Sequence, residues 1–182
     1  MNLIVVSGSA RPQRQSHQVA EEILRRLEAK GHSCTMLDVK ELNFPLLDQT
    51  YAEMTNPSAE MKEVSAAIRT CDGLVIVSPE HNNSYSGAVK NTMDYFYKEY
   101  YHKAFGIVAV SNGKMGGINA AKNLLHYAMT LQGIALPNFL LTPKVQELFT
   151  DGKLTDEAYS GFMDKFLDSF IWLATTISGA KK

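Results

Sequence analysis

Three short segments carry residue types that could do chemistry together. The first, Gly8-Ser9-Ala10-Arg11-Pro12-Gln13-Arg14-Gln15-Ser16-His17, leaves an apolar run and enters an amphipathic one. A helix start offers free N–H groups and the positive end of the helix dipole, so an anion is favoured there. Gly8 lets the chain turn tightly, Ser9 and Ser16 bring hydroxyls, and Arg11 can grip a phosphate through two parallel hydrogen bonds. Arg14 is read as solvated, and Ser16 could equally be a plain helix cap. The segment follows neither the GxGxxG nor the GxxxxGK[ST] pattern, which disfavours those two phosphate sites. The second segment, Ser78-Pro79-Glu80-His81-Asn82-Asn83-Ser84-Tyr85-Ser86-Gly87, offers amide and backbone groups suited to the edge of a flat heterocycle. His81 has no Ser, Cys or Asp at a telling spacing, so it reads as a wall or a hydrogen-bonding contact rather than a catalytic base. Glu80 reads as structural, acting through its backbone. The third, Asn112-Gly113-Lys114-Met115-Gly116-Gly117, can bring N–H groups close to a ligand and stabilise negative charge developing on it.

The elements that must position these segments alternate. Leu3 to Ser7 is nearly all apolar, as a strand covered on both faces should be. Val19, Ile23, Leu24 and Leu27 then mark a helix over 16–30, closed by Gly31. Ser33 to Val39 is a mixed strand suited to a sheet edge, and 40–56 is a long connection with the character of a lid or binding loop. Asn56-Pro57 predicts a helix start, with Asn as cap and Pro first in the helix, and Met61, Val64 and Ile68 as its inward stripe. Gly73 to Ser78 is a third strand, 84–101 a helix, Phe105 to Ser111 a fourth strand and 118–129 a helix. Ile134 to Leu141 holds a fifth strand, and 155–178 a last helix with Phe162, Phe166, Phe170 and Leu173 facing in. This pattern predicts one doubly wound α/β domain over residues 1–182, with a five-stranded parallel sheet in the order 2-1-3-4-5 and helices on both faces. In such a sheet ligands bind beyond the carboxyl ends of the strands where the winding reverses, between the first and third. Two of the unusual segments follow those two strands, and the third follows the next.

Composition excludes several classes. At 182 residues, 45% hydrophobic and 20% charged, the chain is an ordinary globular protein, and a net charge of -1 gives no basic excess for nucleic acid. Cys34 and Cys71 stand apart and outside any CxxC, so neither a disulfide framework nor a metal site is expected. Met1-Asn2-Leu3-Ile4 lacks the basic region of a signal peptide. No apolar run approaches the roughly 18 residues needed to span a membrane. A soluble cytoplasmic protein is expected. The nucleophile elbow of a hydrolase is absent.

Gly8-Ser9-Ala10-Arg11 with Ser16, Pro79-Glu80-His81-Asn82 followed by Ser86-Gly87-Ala88-Val89-Lys90-Asn91-Thr92-Met93-Asp94-Tyr95, and Gly113-Lys114-Met115-Gly116-Gly117-Ile118-Asn119-Ala120 are together similar to the NADPH-dependent FMN reductase family, which includes quinone, azo-dye and chromate reductases on a flavodoxin-like fold. Phe44-Pro45-Leu46 resembles that family's Leu-Pro-Leu loop. The resemblance runs from Leu3 to about Leu141. It implies that Ser9, Arg11, Ser16 and His17 hold an FMN phosphate. Pro79, Glu80, His81 and Asn82 would line the isoalloxazine ring, with Ser111, Asn112 and Gly113 on its other edge. NADPH or NADH would be the electron donor and a small flat molecule the acceptor. Two departures stand out: His81 takes the place of the usual Tyr, and Arg11 lies further from Ser16 than in the shortest members. A homodimer or homotetramer is implied, and the aromatic run Tyr95, Phe96, Tyr97, Tyr100, Tyr101 is a candidate surface for it. Tyr51 and Tyr85 are candidates to reach over the ring.

The expected function is FMN-dependent reduction of a quinone, an azo compound or free flavin by NAD(P)H. Such flavin chemistry asks little acid or base help of the protein, which suits a site without catalytic dyads. The alternative is a flavin-binding electron carrier or regulatory protein without NAD(P)H turnover, against which the weak acidity and the first loop both argue.

Overall fold

Leu3, Ile4, Val5 and Val6 are all fully buried because strand β1 (Asn2–Ser7) is covered on both faces in the computed structural model, which describes residues 1–180. The other parallel strands are β2 (Ser33–Asp38), β3 (Gly73–His81) and β5 (Ala104–Val110), with a last position shared by β6 (Ile134–Ala135) and β7 (Leu140–Thr142). Their order is β2-β1-β3-β5-β6, with β7 also on β5, so the winding reverses between β1 and β3. The expected order of five strand positions holds; the fifth is broken in two. Leu136 still donates its N–H to Phe105 O at 2.8 Å, but Pro137 has no N–H to donate, and pairing resumes at Leu140 opposite Val108.

Alternation along the strands feeds two cores. Ile4, Val6, Leu74 and Ile76 face α3 (Ala59–Thr70), α4 (Gly87–Asp94) and α5 (Ile118–Thr130). Leu3, Val5, Val75 and Val77 face α1 (Gln15–Ala29) and α6 (Glu157–Gly179), where Val19, Ile23, Leu27, Met163, Phe166 and Phe170 are buried. Lys181 and Lys182, the end of the expected domain, lie outside the described residues.

Several expected boundaries shift for local reasons. Ser58, not Asn56, caps α3, accepting from Met61 N at 3.1 Å, so Pro57 precedes the cap. The connection after β2 opens with a short helix, α2 (Val39–Leu42), capped by Asp38. The helix expected over 84–101 is a two-residue strand β4 (Ser84–Tyr85), then α4, then a 3₁₀ turn over Lys98–Tyr100. It breaks where Tyr95 and Phe96 turn inward under the 40–56 connection. Their rings meet Phe44 (5.3 Å) and Tyr51 (5.5 Å), and Tyr95 Oη donates to Pro45 O at 3.0 Å. Tyr95, Phe96 and Tyr100 are therefore core, and only Tyr97 and Tyr101 of the expected oligomer surface retain exposure. The same contacts pack residues 44–51 of the connection against the body, with Asn91 accepting from Leu47 N and donating to Pro45 O. A small hairpin, β8 (Phe149–Thr150) with β9 (Lys153–Leu154), was not foreseen. Phe162 of α6 and Met129 of α5 point to solvent, and Trp172 joins them.

Candidate functional site

The carboxyl ends of β1, β3 and β5 surround a cavity of about 580 Å³, within the roughly 300–1,000 Å³ usual for cofactor sites. Its first wall is the loop from β1 into α1: Ser9, Arg11, Pro12, Gln13, Arg14, Gln15 and Ser16. α1 begins after Arg14, whose side chain caps nothing, and its first turn holds no acid. Ser16 lies inside the first turn, not at the cap, is 3% exposed, and its Oγ has no hydrogen-bond partner. A buried hydroxyl without a partner costs about 1–3 kcal/mol, so the position makes sense where something else supplies the acceptor. Arg11 is exposed at the rim. Arg14 is not solvated: it forms a two-pronged ion pair with Asp38 at the end of β2, and its Nη1 donates to Ser9 O at 3.0 Å. Burial pushes the Asp38 carboxyl up, but the hydrogen bonds from Arg14 and from Lys40 N–H, with the charges of Arg14 and His17, outweigh it and hold Asp38 below its ordinary value.

The second wall is Pro79, Glu80 and His81. These residues are still strand, because β3 runs on and pairs antiparallel with β4 through the turn Asn82-Asn83. Both turn residues have positive φ (49° and 63°), the two-residue hairpin geometry that Asn tolerates well. Glu80 turns away from the cavity through its side chain. Its Oε2 accepts from Asn119 N (2.9 Å) and Ala120 N (3.1 Å), capping α5. That helix needs an outside cap, since its own N-cap residue is Gly117 and its first turn has no acid. Asn119 and Asn123 fasten the hairpin further through Asn83. Ser86 caps α4 through Val89 N and donates to Gly8 O, joining the first and second walls.

The third wall is Val110, Ser111, Asn112 and Gly113, with Val145 behind it. Ser111 Oγ accepts from Gly113 N at 3.0 Å, and Ser111 O accepts from Val145 N at 3.3 Å. Gly116 and Gly117, read as ligand-facing, serve the sheet instead. Their φ values are 62° and 83°, and a Cβ on either would stand 3.0 Å from Leu141 or Ala109.

Nine of the expected site residues therefore meet on one cavity: Ser9, Arg11, Ser16, Pro79, Glu80, His81, Ser111, Asn112 and Gly113. His17 and Asn82 do not. The His17 ring looks back into the fold, with Nδ1 2.9 Å from Ser7 Oγ and 3.7 Å from Asp38, and Nε2 3.3 Å from Glu21. Asn82 sits at the hairpin turn, off the wall. Tyr51 packs on Phe96, and Tyr85 stacks on Tyr127 at 5.5 Å, so neither covers the cavity. Pro12, Gln13, Arg14, Gln15, Val110 and Val145 are walls that the sequence reading does not include; Val145 reaches the site only through the turn after β7. Among the described residues no cluster of His, Cys, Asp and Glu could hold a metal, and no helix is long and apolar enough to cross a membrane.

Residues 1–147 match the family model described as NADPH-dependent FMN reductase. A protein of Bacillus sp. strain OY1-2 named NADPH azoreductase is 29% identical over 159 residues, covering 87% of this chain and 84% of that one. A quinone reductase of Pseudomonas putida is 28% identical over 93% of this chain and 92% of its own. Among solved structures, the NAD(P)H:(acceptor) oxidoreductase FerB of Paracoccus denitrificans superposes with a TM-score of 0.81 at 21% identity, over 96% of this chain and 97% of that one. The last likeness speaks for the flavodoxin-like fold alone.

Proposed function

The chain belongs to the NADPH-dependent FMN reductase family, and from that membership we propose that it binds FMN in the cavity at the β1/β3 switch and acts as an NAD(P)H oxidoreductase on a flat acceptor. The acceptor class is a quinone, an azo compound or free flavin, in keeping with the names of the two relatives. The observation that carries the reading is the open start of α1, where the buried, unpartnered Ser16 Oγ sits beside Ser9 and Arg11 on the cavity wall. In this reading Ser9, Arg11, Ser16 and the free N–H groups of α1 hold the phosphate, as hydroxyl, guanidinium and dipole each favour a dianion.

When FMN is bound it supplies the hydride chemistry, at N5, that couples NAD(P)H oxidation to reduction of the acceptor. The protein's share is to bind and orient. Pro79, Glu80 and His81 form one side of the ring slot and Ser111, Asn112 and Gly113 the other. Glu80 contributes shape and backbone, because its carboxylate is committed to α5. Gly113 N–H is engaged by Ser111 Oγ, which leaves the Ser111 hydroxyl, the Asn112 side-chain amide and the His81 ring as donors toward the ring edge. The reading also takes the chain as one domain and keeps a homodimer or homotetramer, to which exposed Phe162 and Trp172 offer a surface in place of the buried aromatic run.

The test is a visible spectrum of the protein reconstituted with FMN, before and after anaerobic NADPH. A bound-flavin spectrum that bleaches promptly, and recovers on addition of a quinone, is the expected result. Bound flavin indifferent to NADPH and NADH would refute the reductase reading, and failure to bind FMN would refute the site.

A further inference from the structure

We propose that Arg14 and Asp38 are positioning residues for the anion end of this cavity: their ion pair holds the Ser9 carbonyl off the site, where it would repel an anion. The inference rests on the FMN reading above. An anion pocket made from a loop and a helix start works only if the loop's carbonyl oxygens point elsewhere, since an inward carbonyl repels the same charge that the N–H groups attract. Here two of the loop's carbonyls, those of Gly8 and Ser9, are taken. Ser86 Oγ donates to Gly8 O, and Arg14 Nη1 donates to Ser9 O at 3.0 Å.

An arginine at the mouth of an anion site would ordinarily turn toward the anion. Asp38 prevents that by holding both terminal nitrogens of Arg14 from the end of β2. The two side chains are only 9% and 12% exposed. Burying such a pair costs desolvation that its attraction barely returns, so stability alone is a poor reason for it, whereas fixing a loop is a good one. Asp38 is itself held, accepting from Lys40 N at 3.0 Å as the cap of α2, with His17 Nδ1 3.7 Å away. The ion pair thus ties the loop after β1 to the end of the neighbouring strand, and leaves Arg11 as the guanidinium that faces the ligand.

The competing role for Arg14, a direct phosphate ligand restrained by Asp38, predicts the opposite sign for one substitution. The experiment measures FMN and riboflavin Kd by fluorescence titration of the apo-protein for the wild type, Arg14→Gln and Asp38→Asn. The expected result is that both variants raise the FMN Kd at least fivefold while riboflavin Kd stays within twofold, because only FMN carries the phosphate. Tighter FMN binding by Asp38→Asn would overturn the inference in favour of direct ligation. Unchanged FMN binding in either variant, or a parallel loss of both flavins, would overturn it too. Arg14→Lys keeps the charge but cannot span Asp38 and Ser9 O together; it carries the test, with the same expected loss for FMN alone, if the other variants do not fold. A wild type that binds no FMN refutes the cofactor reading instead and is told apart by that control.

Discussion

Two helices start at the same edge of the sheet, α1 after the loop Gly8–Arg14 and α5 after the loop Ser111–Gly117, and both loops look equally fit to cradle an anion. The folded protein treats them oppositely. The N-terminal N–H groups of α5 are closed by Glu80, which reaches across from β3 and brings a negative charge with it. The start of α1 has no side-chain cap, no acid in its first turn, and a buried Ser16 hydroxyl without a partner. Every other α-helix among the described residues has a side-chain acceptor at its start: Asp38, Ser58, Ser86 and Asp156 serve α2, α3, α4 and α6. An uncapped helix start is thus the exception in this molecule, and it lies on the cavity. The difference separates a helix end used to hold the fold together from one kept open for a ligand.

The comparison is broken most directly at Arg11. Its guanidinium is exposed at the open end, so Arg11→Ala should leave urea stability within about 0.5 kcal/mol of wild type. FMN affinity should fall by about 2 kcal/mol, roughly 30-fold, as a charge-assisted phosphate contact is lost. Isothermal titration with FMN checks it; unchanged affinity would remove Arg11 from the phosphate site. The closed end should answer in the opposite currency. Glu80→Ala takes the cap from two N–H groups of α5 and should lower unfolding stability by about 1–2 kcal/mol, read as a lower urea midpoint. Phosphate-dependent binding at α1 should survive it, so that FMN still binds more tightly than riboflavin. A Glu80→Ala protein as stable as wild type would mean that the Glu80 contacts to Asn119 and Ala120 carry no net energy, and the contrast between the two helix starts would lose half its basis.

How much of this contrast was legible beforehand depended on how far apart the partners are. The buried strands announce themselves as continuous apolar runs, which is why β1, β3 and β5 and their order were readable. The loops behind them stand out by their Gly, Ser and Pro. What distinguishes the two helix starts is tertiary: Glu80 is 39 residues from Asn119, and Arg14 is 24 from Asp38. Arg14 looks like any surface arginine until β2 brings the aspartate alongside. The aromatic run from Tyr95 to Tyr101 misled for a similar reason. A helical face was the local expectation, but Phe44 and Tyr51, delivered by a connection with no pattern of its own, draw Tyr95 and Phe96 inward and end the helix. Two local signals do point to these features. Asn82-Asn83 is a pair suited to a two-residue hairpin, and Gly117 before a first turn without acid asks for a cap from elsewhere.

The smallest expected effect bears most finely on the open end. If Ser16 Oγ is unpartnered because its partner is the ligand, then Ser16→Ala removes a buried group that the apo-protein cannot satisfy. The apo-protein should then be as stable as wild type or more so, by up to about 1 kcal/mol, since a desolvated, unpaired hydroxyl is removed and only a void of one oxygen atom is left. In the presence of FMN the order should reverse. The wild type gains the hydroxyl–phosphate hydrogen bond, worth about 1 kcal/mol, and the variant does not, so its FMN-induced rise in melting temperature should be smaller. A cap residue behaves otherwise: Ser58→Ala should destabilise α3 with and without FMN alike, because its hydroxyl already holds Met61 N. Thermal melts of the two serine variants, each with and without FMN, set the two kinds of helix start side by side. Ser16→Ala that destabilises the apo-protein as Ser58→Ala does would mean that its hydroxyl already serves the fold, and that the start of α1 is no more open than the others.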